Sequence, residues 1–342
     1  MVGDGHRPLG RLAGMTAFSW KDRSVLVTGA TGMVGSWLVK DLLAREARVV
    51  TLVLDADPQS ELLRSGDLAR TTVVNGALED FRALERALHV HEVEVVFHLG
   101  AQTLVGAARR APLGTFEANI RGTYQLLEAC RLSSLVRAVV LASSDKAYGE
   151  VGRLPYTEAM PVAGRHPYDV SKSCADLLGQ AYHHTYDLPV AIARCGNIYG
   201  GGDLNWSRIV PGTIRGLLRR QRPVLRSDGS YVRDYLYVKD ATAAYLQLAE
   251  RMDDAGVRGE AFNFGTEAPL TVLEVVVALQ KRMDCTDIVP DIQATTRGEI
   301  RQQWLSAAKA RQVLQWRPAF ELERGLAETI EWYRGFLGDG QG

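Results

Sequence analysis

Tyr168 and Lys172 stand four residues apart in "YDVSK", a spacing that puts both side chains on one face of a helix. A phenol acts as a base toward an alcohol only after losing its own proton, and an adjacent ammonium favours the phenolate. The pair is therefore a candidate proton acceptor for a hydroxyl undergoing oxidation. A second stretch, "ASSDKAYG" (142–149), follows the apolar run "AVVL" and sets Ser144, Asp145 and Lys146 side by side where a strand should end. Open α/β sheets carry their active sites at that end of the strands, so Asp145 and Lys146 are candidates for acid–base work beyond the tyrosine. The bland alternatives are an amphipathic helix for the first stretch and a surface ion pair for the second.

Near the N-terminus, "TGATGMVGSWLVKDLL" (28–43) holds Gly29, Gly32 and Gly35 in the pattern G-x-x-G-x-x-G, between an apolar run and a helical pattern. In that context glycines permit a tight turn and let backbone N–H groups at a helix N-terminus face a pyrophosphate. The implied ligand is a dinucleotide. An acidic residue about 20 positions later should meet the adenosine ribose, and "VLDAD" offers Asp55 and Asp57, with Asp55 the better placed. Arg48 lies nearby in sequence, so NAD is favoured while NADP stays open.

These side chains need a scaffold, and the chain spells one out. Six β-branched or apolar runs, 24–28, 48–54, 71–74, 93–99, 137–143 and 189–194, alternate with longer segments of helical spacing. Strands alternating with helices predict a parallel sheet covered on both faces, a doubly wound α/β Rossmann fold. After Cys195 the rhythm loosens. The expected organisation is an extension without periodicity over 1–20, a dinucleotide-binding domain over 21–195, and a smaller C-terminal α/β substrate-binding domain over 196–342. Parts of 232–266 are expected to return to the first domain.

The 342 residues carry 40 Lys plus Arg against 40 Asp plus Glu, so no net field draws the chain to nucleic acid or to an anionic membrane. No apolar run approaches the ~20 residues of a membrane-spanning helix, and the first 20 residues lack the apolar core of a signal peptide. Cys130, Cys174, Cys195 and Cys285 are widely spaced without C-x-x-C, which disfavours a zinc site or a disulfide framework and fits a reducing cytoplasm. No metal is expected. His98 reads as a packed residue, His183-His184 lack a third ligand at metal spacing, and Trp304, Trp316 and Trp332 read as core.

Taken in order, "TGATGMVG", "HLGAQT", "NIRGTYQLLEAC", "ASSDKAYG", "YDVSK", "RCGNIYGGGD" and "VRDYLYVKD" resemble the extended short-chain dehydrogenase/reductase family, which includes nucleotide-sugar epimerases and 4,6-dehydratases. The resemblance spans residues 22–337. It implies that Ser144 hydrogen-bonds the sugar O4, that Tyr168 takes its proton, and that Lys172 binds the nicotinamide ribose while lowering the Tyr168 pKa. It implies a cofactor site made of Gly29, Thr31, Gly32, Met33, Val34, Gly35, Asp55, Gln102, Tyr168 and Lys172. Asn119 matches the structural asparagine of the central helix and joins the substrate side with Asn197, Arg208, Arg233 and Arg301, the arginines suiting a diphosphate. A homodimer through the helices near 113–132 and 168–186 is also implied. Many relatives have Asp at the adenine position where this chain has Ala77, so Glu79 or Asp80 substitutes or adenine is held differently.

Asp145 and Lys146 separate the two chemistries. A 4-epimerase needs only Ser, Tyr, Lys and NAD. A 4,6-dehydratase oxidises C4, removes the C5 proton, expels the C6 hydroxyl as water and returns the hydride to C6, which requires an additional acid and base. Asp-Lys resembles the CDP-glucose 4,6-dehydratase variant of the motif, as do "HLGAQTLV" and "GGGDLNWSRIVP", whereas "RSDGSYVRDYLYVKDA" is closer to epimerases and to dTDP- or GDP-sugar dehydratases. Lys146 either acts as the C5 base or stays charged beside an enolate. The expected function is an NAD-dependent NDP-hexose 4,6-dehydratase, with a 4-epimerase or a catalytically silent NAD(P) sensor as rivals.

Overall fold

The structure is a computed structural model, described here for residues 18–296 and 299–338. Its centre is a seven-stranded sheet: β1 (Ser24–Thr28), β2 (Arg48–Val53), β3 (Thr72–Asn75), β4 (Val95–His98), β5 (Ala138–Ser144), β6 (Val190–Cys195) and β7 (Ala261–Phe264). The order is β7-β6-β5-β4-β1-β2-β3, every pair parallel. Successive residues of one strand point to opposite faces, and the buried side chains sort accordingly. Val25, Val27, Val95, Phe97 and Val140 join one core, while Leu26, Val96, Val139 and Leu141 join the other. Burying each such side chain is worth about 1.5–3 kcal/mol.

The first core is closed by α1 (Met33–Ala44) and α6 (Val238–Glu250), the second by α2 (Phe81–Val90), α3 (Gly122–Leu132) and α4 (Pro167–Tyr186). Both faces are therefore helical, as the run-and-helix rhythm predicts. Strand order turns back between β1 and β4, which opens a crevice at the carboxyl ends of the strands. A third apolar cluster joins α5 (Ile209–Leu218) and α7 (Leu322–Gly338) beyond that end, with Tyr199, Tyr235 and Tyr237. Beside it, Val232–Arg233 pairs antiparallel with Leu270–Thr271 and parallel with Gln302–Gln303.

Residues 1–17 of the expected N-terminal extension lie outside the described residues. Trp20, assigned to that extension from the lack of periodicity, is instead 6% exposed, packed on Phe97 and donating its indole N–H to Glu250. A single aromatic carries enough apolar area to anchor a segment that shows no repeat. Among the described residues, no helix is long and apolar enough to cross a membrane.

Candidate active site

The turn after β1 is built as its glycines require. Gly29 has φ +69°, and a Cβ there would lie 2.7 Å from the backbone nitrogen of Gly100. A Cβ on Gly35 would collide with the carbonyl oxygen of Gly29. Gly32, by contrast, is exposed and caps α1 without any side-chain hydrogen bond, so the first N–H groups of the helix are left open. A side chain at Gly32 would fill that cradle, and this fits a pyrophosphate. Thr31, Met33 and Val34 line the same turn, half-buried.

Asp55 lies exposed just past the end of β2, on the crevice side, whereas Arg48 is the first residue of that strand and donates to the carbonyl of Asp22. A strand of this length separates them by roughly 20 Å. Arg48 therefore has no access to a 2′-phosphate near Asp55, and the reason for keeping NADP open falls away. Asp80 caps α2 by accepting from the backbone of Ala83 at 3.1 Å.

β5 ends in Ser144, and the chain turns at once through a 3-10 turn, Asp145–Tyr148. Ser144 Oγ donates to Asp145 Oδ1 at 2.9 Å and accepts from the backbone N–H of Lys146 at 3.2 Å. It lies close enough to the Tyr168 hydroxyl to favour the phenolate. Tyr168 and Lys172 project together from the first turns of α4, both buried, and Lys172 Nζ donates to the carbonyl of Ala142 on β5 at 2.8 Å. Burial pushes the Tyr168 phenol up to about 12, opposed by Arg208 and by the nearby Ser144 hydroxyl, while Asp145 and Asp169 add to the rise. Burial lowers the Lys172 ammonium to about 8. His98, at the end of β4, bridges Thr28 and Thr123 through its two ring nitrogens. Burial, followed by the charge on Lys172, lowers it to about 3, so it is neutral.

Asn119 is engaged by the protein. Its Oδ1 accepts from the backbone of Gln102 at 2.7 Å, and its Nδ2 donates to the Gln102 carbonyl and to Ser171 Oγ. With both amide hydrogens and one lone pair used and the residue buried, it braces the Gln102 segment against α4. Arg233 is likewise turned inward, its guanidinium held by the carbonyls of Val232, Ile300 and Arg301. Arg208 is exposed at the start of α5 and paired with Asp203 at 3.2 Å. Asn197 lies half-buried just after β6, and the Arg301 side chain is exposed. Ser144, Asp145, Tyr168 and Lys172 thus come together with Arg208 within electrostatic reach, while Asn119 and Arg233 act as braces.

Two further residues bear on this site, the first noticeable in the sequence without a role and the second unmarked there. Asp169, next to Tyr168, is buried, and its carboxyl is raised by that burial although Lys146 and His166 oppose the rise. Gln303, far along the chain, accepts a hydrogen bond from Lys146 Nζ through Oε1 at 3.4 Å. The place of the first beside Tyr168 is usually small or Ser, which sets it apart without giving it a role, and no local signal marks the second.

Residues 26–329 match the protein-family model described as GDP-mannose 4,6 dehydratase. The chain belongs to that family. The family lies within the extended short-chain dehydrogenase/reductase group. A CDP-glucose 4,6-dehydratase of Salmonella typhimurium is 29% identical over 334 residues, covering 93% of this chain and 92% of its own. A dTDP-glucose 4,6-dehydratase from Streptomyces venezuelae, crystallised with NAD, superposes with TM-score 0.84 at 28% identity, covering 93% of this chain and 99% of its own. A UDP-glucose 4-epimerase from Thermotoga maritima superposes with TM-score 0.82 at 28% identity, covering 92% and 99%. Both 4,6-dehydratases and 4-epimerases are thus among the proteins this chain resembles.

Proposed function

We propose that this protein is an NAD-dependent nucleotide-sugar 4,6-dehydratase acting on a CDP-hexose such as CDP-glucose. The observation that carries this reading is the Asp145 carboxyl at 2.9 Å from Ser144 Oγ, with Lys146 next to it, on a turn that also meets Tyr168. An epimerase has no use for these two groups. Asp145 is placed to protonate the departing C6 hydroxyl, and Lys146 to manage the proton at C5. Tyr168 takes the C4 hydroxyl proton while Ser144 holds that oxygen, Arg208 is the positive charge that favours the phenolate, and Lys172 is the ligand of the nicotinamide ribose.

The open N-terminus of α1, the glycine turn beneath it and the Asp55 carboxylate fit a dinucleotide, with Gln102 on the facing segment. NAD, when bound there, supplies the reversible two-electron chemistry at C4 and C6. Arg208 and Asn197 are the diphosphate contacts, joined by Arg301. Four free cysteines suit a reducing cytoplasm. Exposed Tyr124 on α3 and exposed Leu177 and Tyr186 on α4 suit a homodimer through those helices, which sedimentation measures directly.

The test is incubation with CDP-, dTDP-, UDP- and GDP-hexoses, followed by mass spectrometry. Loss of one water from the CDP-sugar is expected. Isomerisation at unchanged mass would refute the dehydratase reading, and turnover of another nucleotide would reassign the base. Lys146→Met is expected to lower dehydration at least ~100-fold, and full activity in that variant removes Lys146 from the mechanism.

A further inference from the structure

Gln303 contributes no exposed surface, yet its Nε2 is one of three buried side-chain polar atoms without a partner among the described residues. Buried donors almost always find acceptors, so such an orphan calls for a physical reason. Its backbone is held on both sides. Val232–Arg233 pairs with Gln302–Gln303, and the Arg233 guanidinium grips the carbonyls of Ile300 and Arg301. On the other side Tyr156 donates to the Trp304 carbonyl and accepts from Ser306 N–H, while its ring packs on Tyr148 of the Asp145–Tyr148 turn at 5.1 Å. The amide is thus presented rigidly to Lys146, with Oε1 at 3.4 Å from Nζ.

A lysine that moves a proton exists in two forms with opposite needs. The ammonium has only donors, and the amine has a lone pair that accepts. Aliphatic side chains serve neither form, and a carboxylate serves the ammonium far better than the amine. A primary amide serves both, because rotation about its terminal bond exchanges a carbonyl oxygen for an NH2 at nearly unchanged shape.

We propose that Gln303 is the positioning residue of Lys146: its side-chain amide accepts from the ammonium through Oε1 and, turned over, donates to the amine through Nε2. This rests on the dehydratase reading. In that cycle the Lys146 amine takes the proton of C5. The C5–H bond breaks, its electron pair enters the C4–C5 enolate, and an N–H bond forms. Asp145, protonated at the start, gives its proton to the C6 oxygen as the C6–O bond breaks and water leaves, and the proton that Tyr168 took from O4 restores it through solvent. After C6 has been reduced, the ammonium returns its proton to C5. Gln303 keeps Nζ in place through both states. The charges facing Lys146 are Asp145 on its own turn and Asp169 on α4, the latter within electrostatic reach of His166 and Arg109.

The experiment compares wild type with Gln303→Glu and Gln303→Met, using carbon-13 NMR of labelled lysine to titrate Lys146, identified by its loss in Lys146→Arg. Solvent-deuterium incorporation at product C5 is measured alongside the pH profile of kcat. Gln303→Glu is expected to raise the Lys146 midpoint and the acidic limb of kcat together by about one unit. Gln303→Met is expected to slow C5 exchange about tenfold with KM nearly unchanged. An unmoved Lys146 midpoint in a folded Gln303→Glu protein overturns the proposal. In wild type, the Gln303 side-chain amide nitrogen should titrate with the Lys146 midpoint, and a flat response overturns it without any variant. If wild type loses no water from any nucleotide sugar, the dehydratase reading and the proton cycle fail, while the NMR coupling of Gln303 to Lys146 stands or falls separately.

Discussion

Arg194 and Asp176 form a buried pair whose removal tests the link between fold and site. Arg194 reaches Asp176 through Nε and through its second terminal nitrogen, both at 2.7 Å, with side-chain exposures of 4% and 0%. Its remaining nitrogen donates to the Tyr148 hydroxyl at 2.8 Å, and its plane lies 4.8 Å from that ring. Arg194→Met would leave the Asp176 carboxylate with only Ser143 and Gln180 as donors. Losing one partner of a buried pair costs about 3–5 kcal/mol, because the other charge stays in low dielectric. Tyr148 keeps Asn263, so its loss adds about 1 kcal/mol. The sum is a large part of the roughly 5–15 kcal/mol that holds a domain folded. Replacing both partners, Arg194→Met with Asp176→Leu, removes the stranded charge and should be less damaging than Arg194→Met alone by about 2 kcal/mol. Reversible urea unfolding measures each value. A cost below about 1 kcal/mol for Arg194→Met, or a double variant as weak as the sum of the singles, refutes the reasoning. Because Tyr148 closes the turn that carries Asp145 and Lys146, Arg194→Met should also lower kcat.

His98 titrates at about 3 when folded against 6.5 in the open chain, owing first to burial and then to Lys172, so the unfolded state binds its proton first. Stability should therefore fall as pH drops from 6.5 towards 3, by at most about 1.4 kcal/mol per unit from this residue, and His98→Gln should flatten the decline between pH 7 and 5 in urea unfolding. Gly35→Ala should disrupt the β1–α1 turn, since its Cβ meets fixed backbone, whereas Gly32→Ala should fold normally and lose NAD affinity; calorimetric titration beside thermal melts separates the two. Tyr168→Phe should abolish turnover by at least ~100-fold. With the phenol near 12 through burial, wild type minus Tyr168→Phe should show no phenolate absorbance at pH 10 in the protein free of cofactor, and a phenolate signal there contradicts the burial argument.

Much of this molecule is written locally. Alternating apolar runs place six of the seven central strands, because burial on both faces of a parallel sheet demands such runs and the intervening helices demand their own period. The glycine turn, the Tyr168–Lys172 spacing and the Ser144–Asp145–Lys146 cluster are legible for the same reason: each is set by residues within one turn or one strand end. β7, "AFNF", is too short to announce itself, and its place beside β6 follows from tertiary packing.

The sequence by itself determined the strand and helix rhythm, the dinucleotide turn and the identities of the groups at the end of β5. It also suggested a closeness of Arg48 to Asp55 that a strand's rise undoes, and it could not show that Asp80 caps a helix or that Asn119 braces the Gln102 segment. Only the tertiary structure decided which polar groups are already satisfied within the protein and which remain available. Lys146 and Gln303, 157 positions apart, meet because two sheets and a tyrosine bridge hold them there. Periodicity reports which face of an element is buried, but hydrogen-bond saturation depends on partners that no local pattern encodes.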